Sequence, residues 1–488
     1  MTTHSLSSLE AAVRARDTVK GSGKLSFYRE KISDFKGIAR AEGLREAFAV
    51  VKKFIKRRAE PPVKKEDKGP EIMPAGEYDG IRVLDISYYI NCPPVTGGSL
   101  RILNPLTGMS PEDGISVDFV FSTWGKEYAN DCEKYISAIP VVRFVRGIVA
   151  ENFLSKHGKR PAGIPAEVWA TMTPELMDYV LDLVKENRYD IIQIEHSQLA
   201  WLTPLLRAAS PNSKFILDAH NVEYRIFETW LPYADRKHRK SVRESFESMR
   251  EWETDCYPWH DAAFAVSEME ASILRDSSIA KVYSVPTGGG MNLEKYRPEG
   301  ETEKVYDILY IGSMNWFPNH HGLKWFIREV LPLIVKEHPE AMLHIVGNGI
   351  PDADLVSICK KSQNVKFWGF QNDDVVFFHG AKVFVVPLWI GAGARVKIPT
   401  AWAAKVPVVS TTFGAEGALV EPGKNILLED TPEGFASAVL DLLDDPERGR
   451  EIAENAYCTV TENYSLERCS RILVDAYYEV AGKERPSH

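Results

Sequence analysis

The stretch VFVVPLWIGAGARVKIPTAWAAKVPVVSTT, residues 383–412, reads as a complete strand–loop–helix–strand unit. Its ends are short β-branched runs with no polar alternation, the pattern of strands buried on both faces of a parallel sheet. Working outward, the same texture recurs in DILYIGS (307–313), MLHIVGNG (342–349), VKFWGF (365–370) and NILLED (425–430). A separate series precedes it: IRVLDISYYI (81–90), SVDFVFST (116–123), IIQIEHS (191–197), KFILDAHNV (214–222), AAFAVS (262–267) and VYSVPTG (282–288). A polar break near PEGETEKVYD (298–307) separates the two. Two βα series imply an α/β fold of two doubly wound Rossmann-like domains facing a central cleft. The segment RFVRGIVA…DLV, 143–184, reads as helices of the first domain with no assigned chemistry.

Length and composition agree with this division. A chain of 488 residues exceeds one ordinary hydrophobic core, and 44% hydrophobic with 26% charged residues is the make-up of a globular protein. The expected organisation is a basic helical extension and linker at 1–75, a first Rossmann-like domain at 76–295, a second at 296–470, and a C-terminal helix and tail at 471–488.

The net charge of −9 is unevenly spread: residues 1–70 hold 17 Lys+Arg against 9 Asp+Glu, or +8, leaving −17 for the rest. An acidic body is poorly suited to nucleic acid, so none is expected as a partner. Within the basic part, LREAFAVVKKFIKRR at 44–58 has the apolar stripe Leu44, Phe48, Val51 and Ile55, with Lys52, Lys53, Lys56, Arg57 and Arg58 around much of the remaining circumference. Such a helix packs either on the protein's own body or on a membrane surface. The six cysteines show no C-x-x-C pair, and neither a signal-peptide h-region nor an 18-residue apolar run is present. A cytoplasmic protein is expected, with residues 44–58 available for peripheral membrane association.

In doubly wound folds ligands gather where the strands end, so the residues after each strand carry the functional reading. After 383–388, Gly391 and Gly393 give backbone access, and Arg395 and Lys397 place two cations on a loop leading into a helix. That set suits a diphosphate, whose charge must be neutralised in binding and in leaving. After the first strand, Gly97 and Gly98 form either a tight loop or a close approach to phosphate or sugar. His196 and His220 follow strands in the company of Glu195, Asn221 and Glu223. No G-x-S-x-G elbow accompanies them, which disfavours a hydrolase, and no G-x-G-x-x-G suggests a nicotinamide cofactor. Asp352 and Asp354 spell D-x-D but read as a helix N-cap rather than as metal ligands, and no metal is expected.

With these segments in hand the sequence resembles glycosyltransferase family 4, the glycosyl transferases group 1, whose members have the GT-B fold. The likeness covers most of residues 80–475. It rests on PPVTGGSLRI (93–102), DAHNVEY (218–224), AVSEMEASIL (265–274), VPTGGGMNLEKYRP (285–298), YIGSMNWFPNHHGLKWF (310–326) and, most specifically, GAGARVKIPTAWAAKVPVVSTTFGAEG (391–417). The resemblance implies a metal-independent, retaining glycosyltransferase. It would move a sugar from a UDP- or GDP-sugar to a polysaccharide, glycolipid or lipid-linked oligosaccharide, with the nucleotide sugar as co-substrate and no further cofactor. By matching positions, Gly97 and Gly98 approach the donor phosphate or the acceptor, while Gly312 and Ser313 line the nucleotide side. Gly393, Arg395 and Lys397 hold the diphosphate, Glu416 borders the donor, and His220, ahead of His196, faces the reacting region. One departure stands out: the family usually has a Glu where this chain has Thr400, and Ala392 stands where some members carry another. The alternatives are therefore a catalytically weak GT-B protein that binds sugars or scaffolds partners, and a nucleotide-sugar epimerase, which the lack of an acid/base carboxylate set disfavours.

Overall fold

The computed structural model describes residues 78–151, 160–286, 290–298, 300, 302–393 and 395–485. The basic segment 44–58 and the linker after it lie outside these described residues. Two all-parallel sheets form the frame. The first comprises β1 Ile81–Ser87, β2 Ile115–Thr123, β3 Val142–Val149, β4 Ile191–Glu195, β5 Lys214–Ala219, β6 Ala262–Ala265 and β7 Val282–Ser284. The second comprises β8 Tyr306–Ile311, β9 Leu343–Val346, β10 Val365–Gly369, β11 Ala381–Val386, β12 Val408–Ser410 and β13 Leu427–Leu428. Their orders are β3-β2-β1-β4-β5-β6-β7 and β10-β9-β8-β11-β12-β13. Both are doubly wound, with the direction of winding reversing between β1 and β4 in one sheet and between β8 and β11 in the other, and such reversal points open the crevices where ligands sit.

The strands legible as unbroken apolar runs are those covered on both faces. Every residue of β1 is buried, and Val83 lies opposite Val117 on one side and Ile191 on the other. Strand β3 corrects the expectation of helix over 143–184. It is an edge strand, mostly half-buried, and its sequence VRFVRGIV interleaves arginines with apolar residues. Arg143 reaches the buried carboxylate of Asp118 on β2, Nε to Oδ1 2.9 Å, so a charge that looks like a helix surface serves a sheet edge. Helices Ala166–Trp169 and Pro174–Glu186 lie further along the same segment.

Eight helices frame the cleft or join the two sheets: α1 Gly97–Thr107, α2 Tyr224–Trp230, α3 Arg239–Cys256, α4 Glu268–Asp276, α5 Phe317–Trp325, α6 Ala353–Lys361, α7 Lys397–Ala403 and α8 Leu466–Ala481. Among the described residues no helix is long and apolar enough to cross a membrane. Asp352 caps α6, its Oδ1 accepting the Leu355 N–H at 2.7 Å, and its other oxygen pairs with Lys324 at 2.8 Å. The D-x-D spelling thus serves the helix end, as its sequence context indicated.

The last long helix returns to the first sheet. Cys469, Leu473, Val474 and Tyr477 of α8 join the same buried cluster as Val83, Ile102, Val117 and Phe264. Ser470 Oγ donates to Pro105 O at 2.7 Å, and Tyr477 Oη to Gln193 Oε1 at 2.7 Å. The chain therefore crosses from the second unit back to the first and straps the two together. Leu473 is 2% exposed, so Leu473→Ala should lower unfolding free energy by about 2–5 kcal/mol through lost burial and a residual cavity. The exposed neighbour Arg471→Ala should change it by no more than about 0.5 kcal/mol; denaturant unfolding of both variants measures the contrast.

Candidate active site

At the reversal point of the second sheet, β11 leads into the loop that carries Gly391, Gly393, Arg395 and Lys397. Arg395 is turned back on this loop: Nη1 donates to Ala392 O at 2.7 Å and Gly393 O at 2.9 Å, while Nε and Nη2 are buried with no partner. Its guanidinium also lies over the Phe413 ring, 5.1 Å from the centroid. Lys397, the first residue of α7, donates to Tyr310 Oη at 3.0 Å and Asn319 Oδ1 at 3.2 Å, both neutral groups. Burial, reinforced by the Arg395 charge, pushes the ammonium down to about 7. A buried and a half-buried cation on one loop without a bonded carboxylate are electrostatically costly, and an anion bound beside them would relieve the imbalance.

Gly312 and Ser313 stand beside this pair. A Cβ on Gly312 would lie 3.1 Å from Lys397 Nζ, and Ser313 O accepts from Asn319 Nδ2 at 2.8 Å. Asn319 thus bridges the loop after β8 to Lys397. Glu416 sits nearby but across the cleft from its contact, Oε2 lying 3.4 Å from Arg225 Nη2 on α2.

The facing wall comes from the strand ends of the first sheet. Asp218 on β5 is held by the Arg101 guanidinium of α1, Nε to Oδ1 3.0 Å and Nη2 to Oδ1 2.9 Å, with both groups buried. Beside it, Glu195 at the end of β4 accepts from Gln193 Nε2 at 2.6 Å and contacts His220 Nε2 at 2.5 Å. Asp85 on β1 completes the group. Burial and the adjacent Glu195 hold its carboxyl well above the usual range, so Asp85 keeps a proton and donates it toward Glu195. His220 presents Nε2–H to Glu195, and Nδ1 of the neutral imidazole is left as a free acceptor, a tautomer assigned from the network. Burial, then the neighbouring His196, hold His220 well below the usual histidine range. Its Nδ1 is buried and unpartnered.

His196 stacks on His220 with ring centroids 3.6 Å apart, and its backbone is in the left-handed region, φ 68°. For a residue other than glycine that conformation is uncommon and points to a functional constraint. Gly98 is required for a different reason: a Cβ there would lie 1.8 Å from Tyr89 Oη and 3.6 Å from His220 Nδ1. Gly97 faces across the cleft toward Val396, where a Cβ would lie 3.4 Å from Cγ2.

The two walls are clasped at Gly393. A Cβ there would lie 2.1 Å from Asn221 Oδ1, and its φ of 72° favours glycine independently. Its N–H donates to Glu270 Oε1 on α4 at 2.9 Å, and the same oxygen accepts the Val222 N–H at 3.2 Å. Burial pushes Glu270 up to about 7, with backbone hydrogen bonds and the charges of Arg225 and Arg395 opposing. The sequence singled out both cations, the glycines and His220. It missed Tyr310 and Asn319, which position Lys397, and Glu270, although all three lie inside the stretches YIGSMNWFPN and AVSEME.

Thr400, where a carboxylate was looked for, turns inward: Oγ1 donates to Val396 O at 2.9 Å, and the residue is buried. Among the described residues, Glu195, Asp218 and His220 offer three ligand atoms within 4.8 Å of one another. Arg101 already supplies the cation that Asp218 needs, and Gln193 and His220 engage Glu195, so the donor set fits a protein network better than a divalent ion.

Fold and site define a class: two doubly wound units with a cationic pocket in the crevice between them, the GT-B arrangement. Comparison with known proteins agrees. Residues 305–445 match the family model described as Glycosyl transferases group 1. A relative from Klebsiella pneumoniae, an uncharacterized 44.6 kDa protein in the cps region, is 27% identical over 168 residues, which span 33% of this chain and 43% of the relative, under half its length. Among solved structures, Anabaena HepE in complex with UDP-glucose superposes with a TM-score of 0.57 at 13% identity, covering 82% of this chain and all of that one. Sucrose-phosphate synthase from Thermosynechococcus elongatus gives 0.62 at 16%, covering 82% and 99%. At these identities the structural likeness establishes the fold.

The cation pair generates a test that needs no knowledge of the substrate. Lys397 loses its proton as pH rises through about 7, and a bound anion favours the charged form, so affinity for inorganic diphosphate should fall between pH 6 and pH 9. Compared with Lys397→Met, in which ligand ionisation is the same but the titration is gone, wild type should weaken by a further 10–100-fold, roughly, over that range. Calorimetric titration of both proteins reads the difference.

Proposed function

We propose that the protein is a retaining glycosyltransferase that moves a sugar from a nucleoside diphosphate sugar, UDP- or GDP-linked, to a saccharide acceptor. One observation carries this reading: Arg395, buried, and Lys397, half-buried, stand on one strand-end loop with no carboxylate hydrogen-bonded to either. The family match over residues 305–445, which contain both cations, supports it, as does a structural neighbour that holds UDP-glucose in the same fold.

The chemistry follows from the charges. As the bond between the sugar's anomeric carbon and the diphosphate oxygen breaks, negative charge grows on the leaving group. Fixed cations in a low-dielectric pocket stabilise that charge more than they stabilise the ground state. Gly312 and Gly393 let backbone approach the same group. The acceptor hydroxyl bonds to the anomeric carbon on the face the diphosphate leaves, and its proton passes to a departing phosphate oxygen, so no protein base is required. His220 Nδ1 accepts a hydrogen bond from a sugar hydroxyl and orients the donor. No metal is needed where two cations already neutralise the diphosphate. A polysaccharide or a lipid-linked oligosaccharide is the acceptor, and the basic 44–58 segment suits a lipid-bound one.

The second reading, a protein that binds nucleotide sugars without turning them over, is favoured by Thr400, whose hydroxyl is engaged within its own helix. A panel of UDP- and GDP-sugars separates the two. Chelator-resistant release of UDP or GDP from one donor, reduced by about 10²–10³-fold in Arg395→Ala with Lys397→Ala, is the outcome expected of the transferase. Binding with no release in the presence of candidate acceptors would favour the second reading, and no binding would remove both. If Thr400 makes no donor contact, Thr400→Val should retain activity within about threefold, since only an intrahelical hydrogen bond of about 1 kcal/mol is lost.

A further inference from the structure

A cavity of about 590 Å³ opens between the two units, and neither His220 nor Arg395 nor Lys397 lines it. Its walls are aromatic and come from both units. Trp230, at the end of α2, meets Phe317 of α5 with ring centroids 4.7 Å apart, and Tyr233 meets His321 at 4.7 Å. Trp389, in the loop between β11 and Gly391, packs edge-on to Trp325 at 5.2 Å. Two of the lining residues, Trp389 and His321, each hold a ring nitrogen, Nε1 and Nδ1, that is buried with no hydrogen-bond partner.

This chemistry discriminates between ligand classes. The volume falls in the ~300–1,000 Å³ range of small-molecule sites. The cations at the rim are already engaged: Lys324 with Asp352 at 2.8 Å, and Arg328 with Asp354 at 2.9 Å, so phosphate finds no unpaired positive charge there. Carboxylates of Asp235, Glu329 and Asp430 also border the space and would repel an anion. What remains is a set of flat aromatic faces with several carboxylates that accept hydrogen bonds from hydroxyls. A pyranose matches it, because its C–H faces pack against aromatic rings while its edge hydroxyls hydrogen-bond.

We propose that this cavity is a second saccharide site, which holds a neutral sugar segment of the acceptor chain at a distance from the reacting centre. The cavity is joined to that centre by a short path. Thr229, next to Trp230, grips Gly391 from both sides: its Oγ1 accepts the Gly391 N–H at 3.0 Å and donates to Gly391 O at 3.0 Å. A saccharide touching both Trp230 and Trp389 therefore braces the loop that carries Arg395. That the bound chain is an acceptor rests on the proposed glycosyl transfer; that a saccharide binds here does not.

Calorimetric titration of the full chain with maltohexaose, cellohexaose and laminarihexaose, alongside UDP, tests the two separately. Binding of at least one hexasaccharide is expected, weakened tenfold or more by Trp230→Ala and by Tyr233→Ala, while UDP binding is unchanged. Tyr233 is 45% exposed, so its variant stays informative should Trp230→Ala not fold. No binding of any hexasaccharide at millimolar concentration would overturn the proposal, as would binding insensitive to Tyr233→Ala. Loss of UDP binding in that variant would also overturn it, by making the cavity part of the nucleotide site. Hexasaccharide binding in a protein that binds no nucleotide would leave this inference standing and remove the transferase reading alone.

Discussion

The Glu270 carboxylate fixes how the two units face each other. One oxygen accepts the N–H of Val222, two residues after His220, and the N–H of Gly393, two residues before Arg395. Both reacting walls are thus referred to one atom on α4. The approach is close enough that only glycine fits at 393, where Asn221 occupies the space a Cβ would take. A carboxylate buried to this degree is held up to about 7, near the point at which it changes charge. Two backbone donors and two nearby arginines offset the cost of ionisation, so the clasp and the cationic loop stabilise each other. The helix α8 adds a covalent return path to the first sheet, which limits how far the walls can separate.

The walls handle charge in opposite ways. On the first unit the acids of this wall have partners of their own: Arg101 for Asp218, and Gln193 and His220 for Glu195, with burial and Glu195 holding the Asp85 carboxyl well above the usual range. On the second unit Arg395 bonds only to carbonyls of its own loop and Lys397 only to neutral oxygens. A protein tolerates an uncompensated buried cation where a ligand supplies the counter-charge, and perturbed groups of this kind concentrate at functional sites. On the transferase reading, the asymmetry would put the anionic part of a ligand on the second unit and its neutral, hydroxyl-bearing part on the histidine wall.

The same physics separates the elements legible in the sequence from those hidden in it. Strands covered on both faces, such as ILYI in β8 and VFVV in β11, are apolar throughout and stand out without any partner information. The edge strand β3 does not, because its arginines pair with Asp118 and Glu133, residues distant in sequence. Arg395, Lys397 and Gly393 were legible since charge and glycine are unusual immediately after a buried strand. Glu270 and Asn319 were not. An acid in a helix's first turn and an Asn after Pro are ordinary local features, and only tertiary contact with Gly393 or Lys397 gives them another role. The aromatic cavity was equally hidden, for Trp230, Phe317 and Trp389 come from three segments that no pattern links.

Thr400 is where local sequence and three-dimensional structure together constrain the chemistry most sharply. Its hydroxyl is bonded to Val396 O and its side chain is buried, so it offers nothing toward the cleft. For a nucleotide-sugar donor, affinity then rests on the diphosphate, through Arg395, Lys397 and the backbone at Gly312 and Gly393. These groups are blind to the identity of the sugar and of the base. Discrimination among sugars has to come from groups that meet hydroxyls directly, and on the facing wall those are His220 Nδ1 and the backbone around Gly98. Tyr89 and His220 both lie within 4 Å of the space a Cβ on Gly98 would fill, so on the transferase reading the shape of that small region, rather than the charge of the opposite wall, is what would select the donor.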